Sequence, residues 1–167
     1  MVNKLILTVA MATMAFLPAG AGEGDRLFTV NAGFLFNSTL HATLGWEREL
    51  AYGNAVEFSA EAGNRWRRDP ICGKVCSDVF WKGYYWDGAA TYKKCARRYK
   101  NAMLRIAVGA QCGAVTRDWF LGVQAGLEYV HVTKSGIHLS VQQRNYVNFI
   151  HGDSFRNGLT VGIKIPL

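Results

Sequence analysis

The sequence predicts an all-β protein, an eight-stranded antiparallel up-and-down transmembrane β-barrel that follows an N-terminal signal peptide. Three observations support this fold class. The chain opens on an apolar leader, it repeats segments in which apolar and polar residues alternate, and it ends on one such segment. Alternation with a period of two places the apolar side chains of a strand on one face.

The leader has the three zones of a secretory signal peptide: a short region with Lys4, an apolar run over residues 5–17, and a small-residue end at 18–21. The apolar run is shorter than the roughly 20 residues that a transmembrane helix needs. Ala19 and Ala21 offer the two small side chains that a signal peptidase accepts, so we expect residues 1–21 to be removed by cleavage after Ala21, with an uncleaved anchor as the alternative. Residues 22–167 then form a single barrel domain.

The final segment has the clearest alternation. One of its faces is polar or small, and the other is mostly apolar up to the last residue. An outward apolar face on the last strand resembles the C-terminal assembly signal of outer-membrane barrels, although Leu167 stands where such proteins usually have Phe. The residues of the mostly apolar face are Phe155, Asn157, Leu159, Val161, Ile163, Ile165 and Leu167.

The same alternation recurs upstream in segments close to the length of about 10 residues that a transmembrane strand requires. With the final segment they make eight strands, the smallest even number known for single-chain outer-membrane barrels. The upstream segments lie near residues 27–36, 39–50, 54–65, 79–92, 102–115, 119–132 and 136–149.

Residues 66–77 form the longest predicted connection, and they lie outside the cell if both termini are periplasmic. Aromatic residues are dense after this connection and suit a girdle at the membrane interface. That cluster comprises Phe80, Trp81, Tyr84, Tyr85 and Trp86.

The chain has a net charge of +7, and its basic excess is concentrated between Arg65 and Arg105. Such a segment suits phosphate on lipopolysaccharide, phospholipid headgroups or nucleic acid, or simply a solvated loop and barrel rim. A membrane girdle accounts for the aromatic residues near it, so we expect no direct nucleic-acid binding and name outer-membrane lipid or lipopolysaccharide as the partner.

Charges of both signs fall on the polar faces of the predicted strands. An eight-stranded barrel has an interior just wide enough for side chains to fill, and buried charges must pair. We therefore predict an interior charge network and no pore, with a narrow proton or water path as the alternative. The interior set is Glu47, Glu57, Glu61, Glu128, Arg105, Arg144, Arg156 and Lys164.

Four cysteines in an exported chain favour oxidation. Cys72 and Cys76 are close enough in sequence for a local disulfide. Metal binding would need further ligands, and no His or second Cys pair lies nearby. Cys95 and Cys112 would pair only if their strands were neighbours in register. We predict no metal and no cofactor.

One group of residues raises the question of catalysis. His138 and Ser140 lie two residues apart on one strand face, and Glu128 is on the preceding strand, so an acyl-transfer triad is one interpretation. In this respect the chain resembles the lipid A deacylase family of small barrels, which uses such residues. Here the pair is predicted to face the interior, where no lipid ester would reach, so we favour an interior His and predict that the protein is not an enzyme.

From Lys82 onward the order of features resembles the conjugative-transposon TraO family of Bacteroides-type bacteria. The resemblance implies a non-enzymatic envelope component of a DNA-transfer apparatus, with other proteins of that apparatus as partners. It implies no catalytic residues. The matching pieces are Gly83-Tyr84-Tyr85, Val108-Gly109-Ala110 with Gly113, Gly126-Leu127-Glu128, Gln143-Arg144-Asn145, and the run from Gly158 to Lys164.

Three functional hypotheses follow, all with an outer-membrane location. The leading one is a structural or assembly component of a conjugation apparatus, which rests on the TraO resemblance. The alternative is a generic small barrel that serves adhesion or envelope integrity, with its basic loop on lipopolysaccharide or a host surface. The third is a lipid-modifying acyl hydrolase.

Overall fold

The computed structural model describes residues 24–36, 38–65, 84–115, 118–150 and 155–167. The predicted leader over residues 1–21 lies outside this part of the chain. No helix among the described residues is long and apolar enough to span a bilayer. The strands are β1 (Arg26–Leu35), β2 (Thr39–Glu49), β3 (Ala55–Arg65), β4 (Tyr84–Arg98), β5 (Ala102–Val115), β6 (Asp118–Val132), β7 (His138–Ile150) and β8 (Phe155–Pro166).

The eight strands form one closed barrel in which every strand pairs with its sequence neighbours. All pairs are antiparallel, and β8 closes the ring on β1, with Leu27 opposite Pro166 and Leu35 opposite Gly158. Closure satisfies the backbone hydrogen bonds of both edge strands, as a bilayer-spanning sheet requires. The predicted fold class, an eight-stranded up-and-down barrel, is confirmed.

The alternation in the sequence sets which side chains enter the barrel. In β2, Thr39, His41, Thr43 and Glu47 are buried, whereas the intervening Leu40 and Leu44 are exposed on the outside. The arrangement therefore reverses that of a water-soluble barrel, with polar groups inside and apolar groups outside.

Glycines are concentrated on the inner face of the strands, where neighbouring strands approach closely. Nearly all glycines in the described strands lie at positions that face the barrel interior, and Gly88 is the exception that faces outward. A Cβ added at Gly33 would lie 2.0 Å from the backbone oxygen of Leu159 on the adjacent strand. The same addition at Gly126 would lie 2.0 Å from the backbone oxygen of Gln143. Such close approaches let a small barrel bend sharply.

The two ends of the barrel differ in their connections. The near end holds the start of β1, the end of β8 and the connections 50–54, 99–101 and 133–137. The far end holds the connections 36–38, 66–83, 116–117 and 151–154, of which 66–83 is the longest. Of the far-end intervals between the described strands, 66–83 alone is longer than the near-end connections, because the others span two to four residues against three to five at the near end.

The strand predictions were least accurate for β4. The sequence suggested residues 79–92, whereas β4 continues past Tyr92 to Arg98. The pairing with β3 ends at Ala55 opposite Lys93, and the last part of β4 pairs only with β5. A register shift between Cys95 and Arg97 breaks the alternation there, which hides the strand from a period-two search.

Candidate functional site

The barrel interior is the candidate site because it holds a dense set of buried ionisable groups. Among the described residues, five acidic and five basic side chains are buried inside, so their formal charges balance. Each strand from β2 to β8 contributes at least one of them. The acidic members are Glu47, Glu57, Glu61, Asp87 and Glu128, and the basic members are Lys93, Arg105, Arg144, Arg156 and Lys164.

Lys93 occupies the centre of a carboxylate cluster. Its Nζ lies 2.7 Å from Glu47 Oε2 and 2.8 Å from Glu128 Oε1, and it also donates to Glu57 Oε2. An ammonium has three N–H donors, and here each donor has a carboxylate acceptor. The three carboxylates are close enough together to bind a metal ion, but the Lys93 ammonium already supplies the positive charge.

Arg105 joins this cluster to the near end of the barrel. Its Nε donates to the Gly53 carbonyl at 2.8 Å, and its other nitrogens reach Glu47 at 2.8 Å and Glu49 at 2.5 Å. Gly53 belongs to the short 3-10 turn Ala51–Gly53 between β2 and β3. The turn is thereby held against the interior, and Gly53 itself is buried.

Lys164 adds a second cation to the same acids. Its Nζ lies 2.6 Å from Glu47 Oε2 and 2.8 Å from Glu128 Oε1. Glu47 is on β2 and Glu128 is on β6, so these contacts cross the lumen between opposite walls. The ion pairs therefore tie opposite walls of the barrel together across the lumen.

Arg144 extends the network toward the far end. Its guanidinium contacts Glu61 Oε1 at 2.5 Å and Glu57 Oε1 at 3.2 Å, while its Nε donates to Gln142 at 2.8 Å. Gln142 in turn donates to Glu128 at 2.8 Å. The two groups of ion pairs are thus one continuous network.

Aromatic rings line the interior nearer the far end. His41 Nδ1 and the Tyr85 hydroxyl lie 2.5 Å apart, and the Tyr146 hydroxyl donates to Glu61 at 3.2 Å. The Arg156 guanidinium lies 4.4 Å from the ring centre of Tyr85. The prediction that Tyr85 belongs to an outer girdle is wrong, because the alternation of β4 turns this residue inward and buries it.

Asp87 differs from the other buried acids. It is 2 % exposed, and neither carboxylate oxygen has a hydrogen-bond partner in the described part of the chain. Two nitrogens of Arg156 likewise have no hydrogen-bond partner there. Unpaired buried groups of this kind call for ordered water.

The structure brings together most of the charges that the sequence suggested for the interior. Glu57, Glu61, Arg105, Glu128, Arg144 and Lys164 all take part in buried ion pairs. Arg156 instead stacks on aromatic rings. Sequence reasoning missed Lys93 as an interior residue, although the alternation from Tyr85 through Thr91 points to it when it is continued.

The triad interpretation finds no matching geometry. Ser140 is buried inside and donates its hydroxyl hydrogen to Asn31 at 3.1 Å. Glu128 is bonded to Lys93 and Gln142. No hydrogen bond joins Ser140 to His138 among the described residues, so the nucleophile and base that acyl transfer needs are not in contact.

Cys95 and Cys112 are both free thiols. Their strands, β4 and β5, are neighbours, but Cys95 lies opposite Arg105 and Cys112 lies opposite Gly88. Cys112 is exposed on the outer face, whereas Cys95 lies on the inner side next to Gly53. The register therefore keeps these two cysteines apart. Cys72 and Cys76 lie outside the described residues.

The outer surface has an aliphatic belt that lies between two girdles of aromatic side chains. Tyr84 and Trp86 face outward, as the sequence suggested. Such girdles are typical of transmembrane barrels, where they sit at the two interfaces. Toward the near end lie Phe28, Trp46, Phe58, Tyr92 and Tyr129, and toward the far end lie Phe34, Tyr84, Trp86, Trp119, Phe149 and Phe155.

A closed antiparallel barrel of eight strands with a polar interior and an apolar outer belt defines the class of small outer-membrane-type barrels. A major outer membrane protein from Thermus thermophilus has a similar crystal structure, with a TM-score of 0.64 and 11% identity over 87% of this chain and 100% of that chain.

Two designed proteins share the fold. The solution structure of the de novo designed TMB2.3 matches with a TM-score of 0.55 and 13% identity over 90% of this chain and 98% of its own. A structure described as de novo design of transmembrane beta-barrels matches with a TM-score of 0.52 and 11% identity over 88% of this chain and 99% of its own. No family model matches the chain, and no curated protein does. These likenesses concern the fold alone.

Proposed function

We propose that this protein is an outer-membrane barrel that acts through its surface, in the class that serves envelope integrity and adhesion. The observation that supports this most is the ion-pair network across the lumen. Lys93 and Lys164 each bind carboxylates from more than one wall, so the interior is occupied by paired side chains. A barrel of this kind serves as a membrane anchor for the connections at its two ends.

The proposed orientation rests on the longest interval between strands. The near end, with the start of β1 and the end of β8, is placed toward the periplasm, and the far end, with residues 66–83, is placed outward. The connection 66–83 is then displayed outside the cell. Its sequence contains Arg67, Arg68, Lys74 and Lys82 against Asp69 and Asp78, so its proposed partner is phosphate on lipopolysaccharide or an anionic host surface.

A deletion strain tests this proposal. Loss of the gene is expected to increase sensitivity to detergent or to reduce attachment to anionic surfaces, and the wild-type gene is expected to restore the lost property. A second complementation uses a variant in which a short Gly-Ser turn replaces residues 66–83. If this variant restores detergent resistance, the barrel itself serves envelope integrity. If it fails to restore attachment, adhesion depends on residues 66–83. A deletion strain that is normal in both assays would overturn the proposal.

A conductance measurement tests the sealed interior separately. The purified protein in a planar bilayer is expected to give no stepwise currents, because ion pairs such as Lys164–Glu128 cross the lumen. Stable stepwise currents from the wild-type protein would contradict the surface-acting function and favour transport.

The conjugation role stays a prediction that rests on the TraO-like motifs between Lys82 and Lys164. A donor cell that lacks the gene and transfers DNA at an undiminished rate would exclude it. Binding to other proteins of such an apparatus is likewise a prediction that rests on these motifs.

A further inference from the structure

The outer face of β7 carries two amide side chains, and a third, Asn157, lies beside them on β8, whereas the other outward residues around them are apolar. Gln143 and Asn145 lie on the outward phase of β7, between the inward residues Gln142, Arg144 and Tyr146. They are central along the strand, and Asn145 is paired with Ala125. Ala125 is equally far from Asp118 and Val132, the two ends of β6. The amides therefore lie near the middle of the apolar belt.

The hydrogen-bonding capacity of these amides is only partly used. Asn145 donates to the Ala125 carbonyl at 3.3 Å and accepts from Asn157 at 2.5 Å. The Gln143 side chain makes no hydrogen bond with the residues that the structure describes, and its neighbours across the sheet are Leu127 and Leu159. An amide with unused donors and acceptors is costly in hydrocarbon because acyl chains offer no partner.

We propose that Gln143 and Asn145 form the centre of an interface between two copies of this chain in the membrane. An amide is both donor and acceptor, so the same patch is complementary to itself when two copies meet about a two-fold axis. The patch has no charge, so a partner of opposite charge is not needed. The small side chain of Ala125 beside Asn145 lets the two sheets approach closely.

This interface rests on the membrane location proposed above, and the test separates the two. The protein is reconstituted into phosphatidylcholine vesicles, with all four native cysteines replaced by serine and a reporter cysteine introduced by Val141→Cys. Val141 is exposed on β7 next to Gln143. The control reporter is Ala60→Cys on the outer face of β3, the wall opposite β7. Flotation of the vesicles reports membrane insertion independently of cross-linking.

The Val141→Cys reporter is expected to form disulfide-linked dimers under mild oxidation, and the Ala60→Cys reporter is not. Adding Gln143→Met and Asn145→Leu to the Val141→Cys reporter removes the amides at similar volume and is expected to lower the dimer fraction about tenfold, the effect of one or two hydrogen bonds in a bilayer. Equal cross-linking at both reporters, no cross-linking at Val141→Cys, or an unchanged yield without the amides would overturn the interface. Failure of the protein to float with the vesicles would overturn the membrane location and the interface together.

Discussion

Glu61 and Asp87 lie directly opposite each other on β3 and β4, and both carboxylates are buried inside the barrel. Glu61 is bonded to Arg144 at 2.5 Å and to Tyr146 at 3.2 Å. Asp87 has no hydrogen-bond partner among the described residues. Two like charges on facing positions repel. Of this pair, Glu61 is hydrogen-bonded into the described network, whereas Asp87 is not.

This asymmetry predicts different effects for two isosteric substitutions. Asp87→Asn removes the repulsion and breaks no hydrogen bond in the described network, so the free energy of unfolding is expected to stay within about 1 kcal/mol of the wild-type value. Glu61→Gln removes one of the two carboxylates that pair with Arg144 and is expected to cost more, about 3 kcal/mol. Urea unfolding of the protein in lipid vesicles measures both. A larger loss for Asp87→Asn than for Glu61→Gln would contradict the assignment.

Lys93 is expected to be among the most sensitive interior positions. Its ammonium is shared by Glu47, Glu57 and Glu128, and all three are buried. Lys93→Met keeps most of the side-chain volume but leaves the carboxylates with one cation fewer, so we expect a loss of about 3–5 kcal/mol in the free energy of unfolding. If the variant keeps its heat-resistant mobility in gel electrophoresis and its urea midpoint is unchanged, the ammonium is not needed for stability.

The matched control is the adjacent Lys94→Met. Lys94 is exposed on the outer side of the same strand, and none of the ion pairs described above involves it. The control is expected to change the unfolding free energy by less than about 1 kcal/mol. The comparison separates the loss of the interior cation from the general effect of removing a lysine.

Much of this fold is readable from the sequence because one physical rule governs it. A strand between lipid and a filled interior must alternate, and the alternation in β2, β5 and β8 gave both the strands and their inward charges. The rule fails where the alternation breaks. β4 has a register shift after Cys95, so its last residues were missed, whereas Lys93 was missed because the predicted strand ended one residue earlier, at Tyr92.

The sequence did not predict which residues face each other on neighbouring strands, and the reason is different. Period-two alternation gives the face of a residue but not its neighbour on the next strand. The pairing of Glu61 with Asp87, and the separation of Cys95 from Cys112, depend on the register of β4 against β3 and β5. Tyr85 was misassigned because a cluster of aromatic residues was interpreted as one surface, although adjacent residues of a strand face opposite sides.

The close strand approach at Gly33 predicts a strong effect of a single methyl group. An alanine Cβ there would lie 2.0 Å from the Leu159 backbone oxygen, so the two strands would have to move apart. We expect Gly33→Ala to destabilise the barrel by about 1–3 kcal/mol. Gly88→Ala is the control, because its Cβ would point outward and the nearest atom lies at 3.9 Å. Equal urea midpoints for the two variants would show that the inward glycines are not needed for curvature.

The outer belt provides a test of membrane seating that does not depend on any biological function. Val108 is 56% exposed and central on β5, whereas His131 faces outward one residue from the near end of β6. In a bilayer, Val108→Arg is expected to cost about 2–4 kcal/mol and His131→Arg at most about 1 kcal/mol, because the cost of a charge falls toward the interface. In water both positions would tolerate arginine equally. Unfolding in vesicles that gives the same free energy for the two variants would therefore contradict a membrane-spanning barrel, whereas a difference that follows depth would support it.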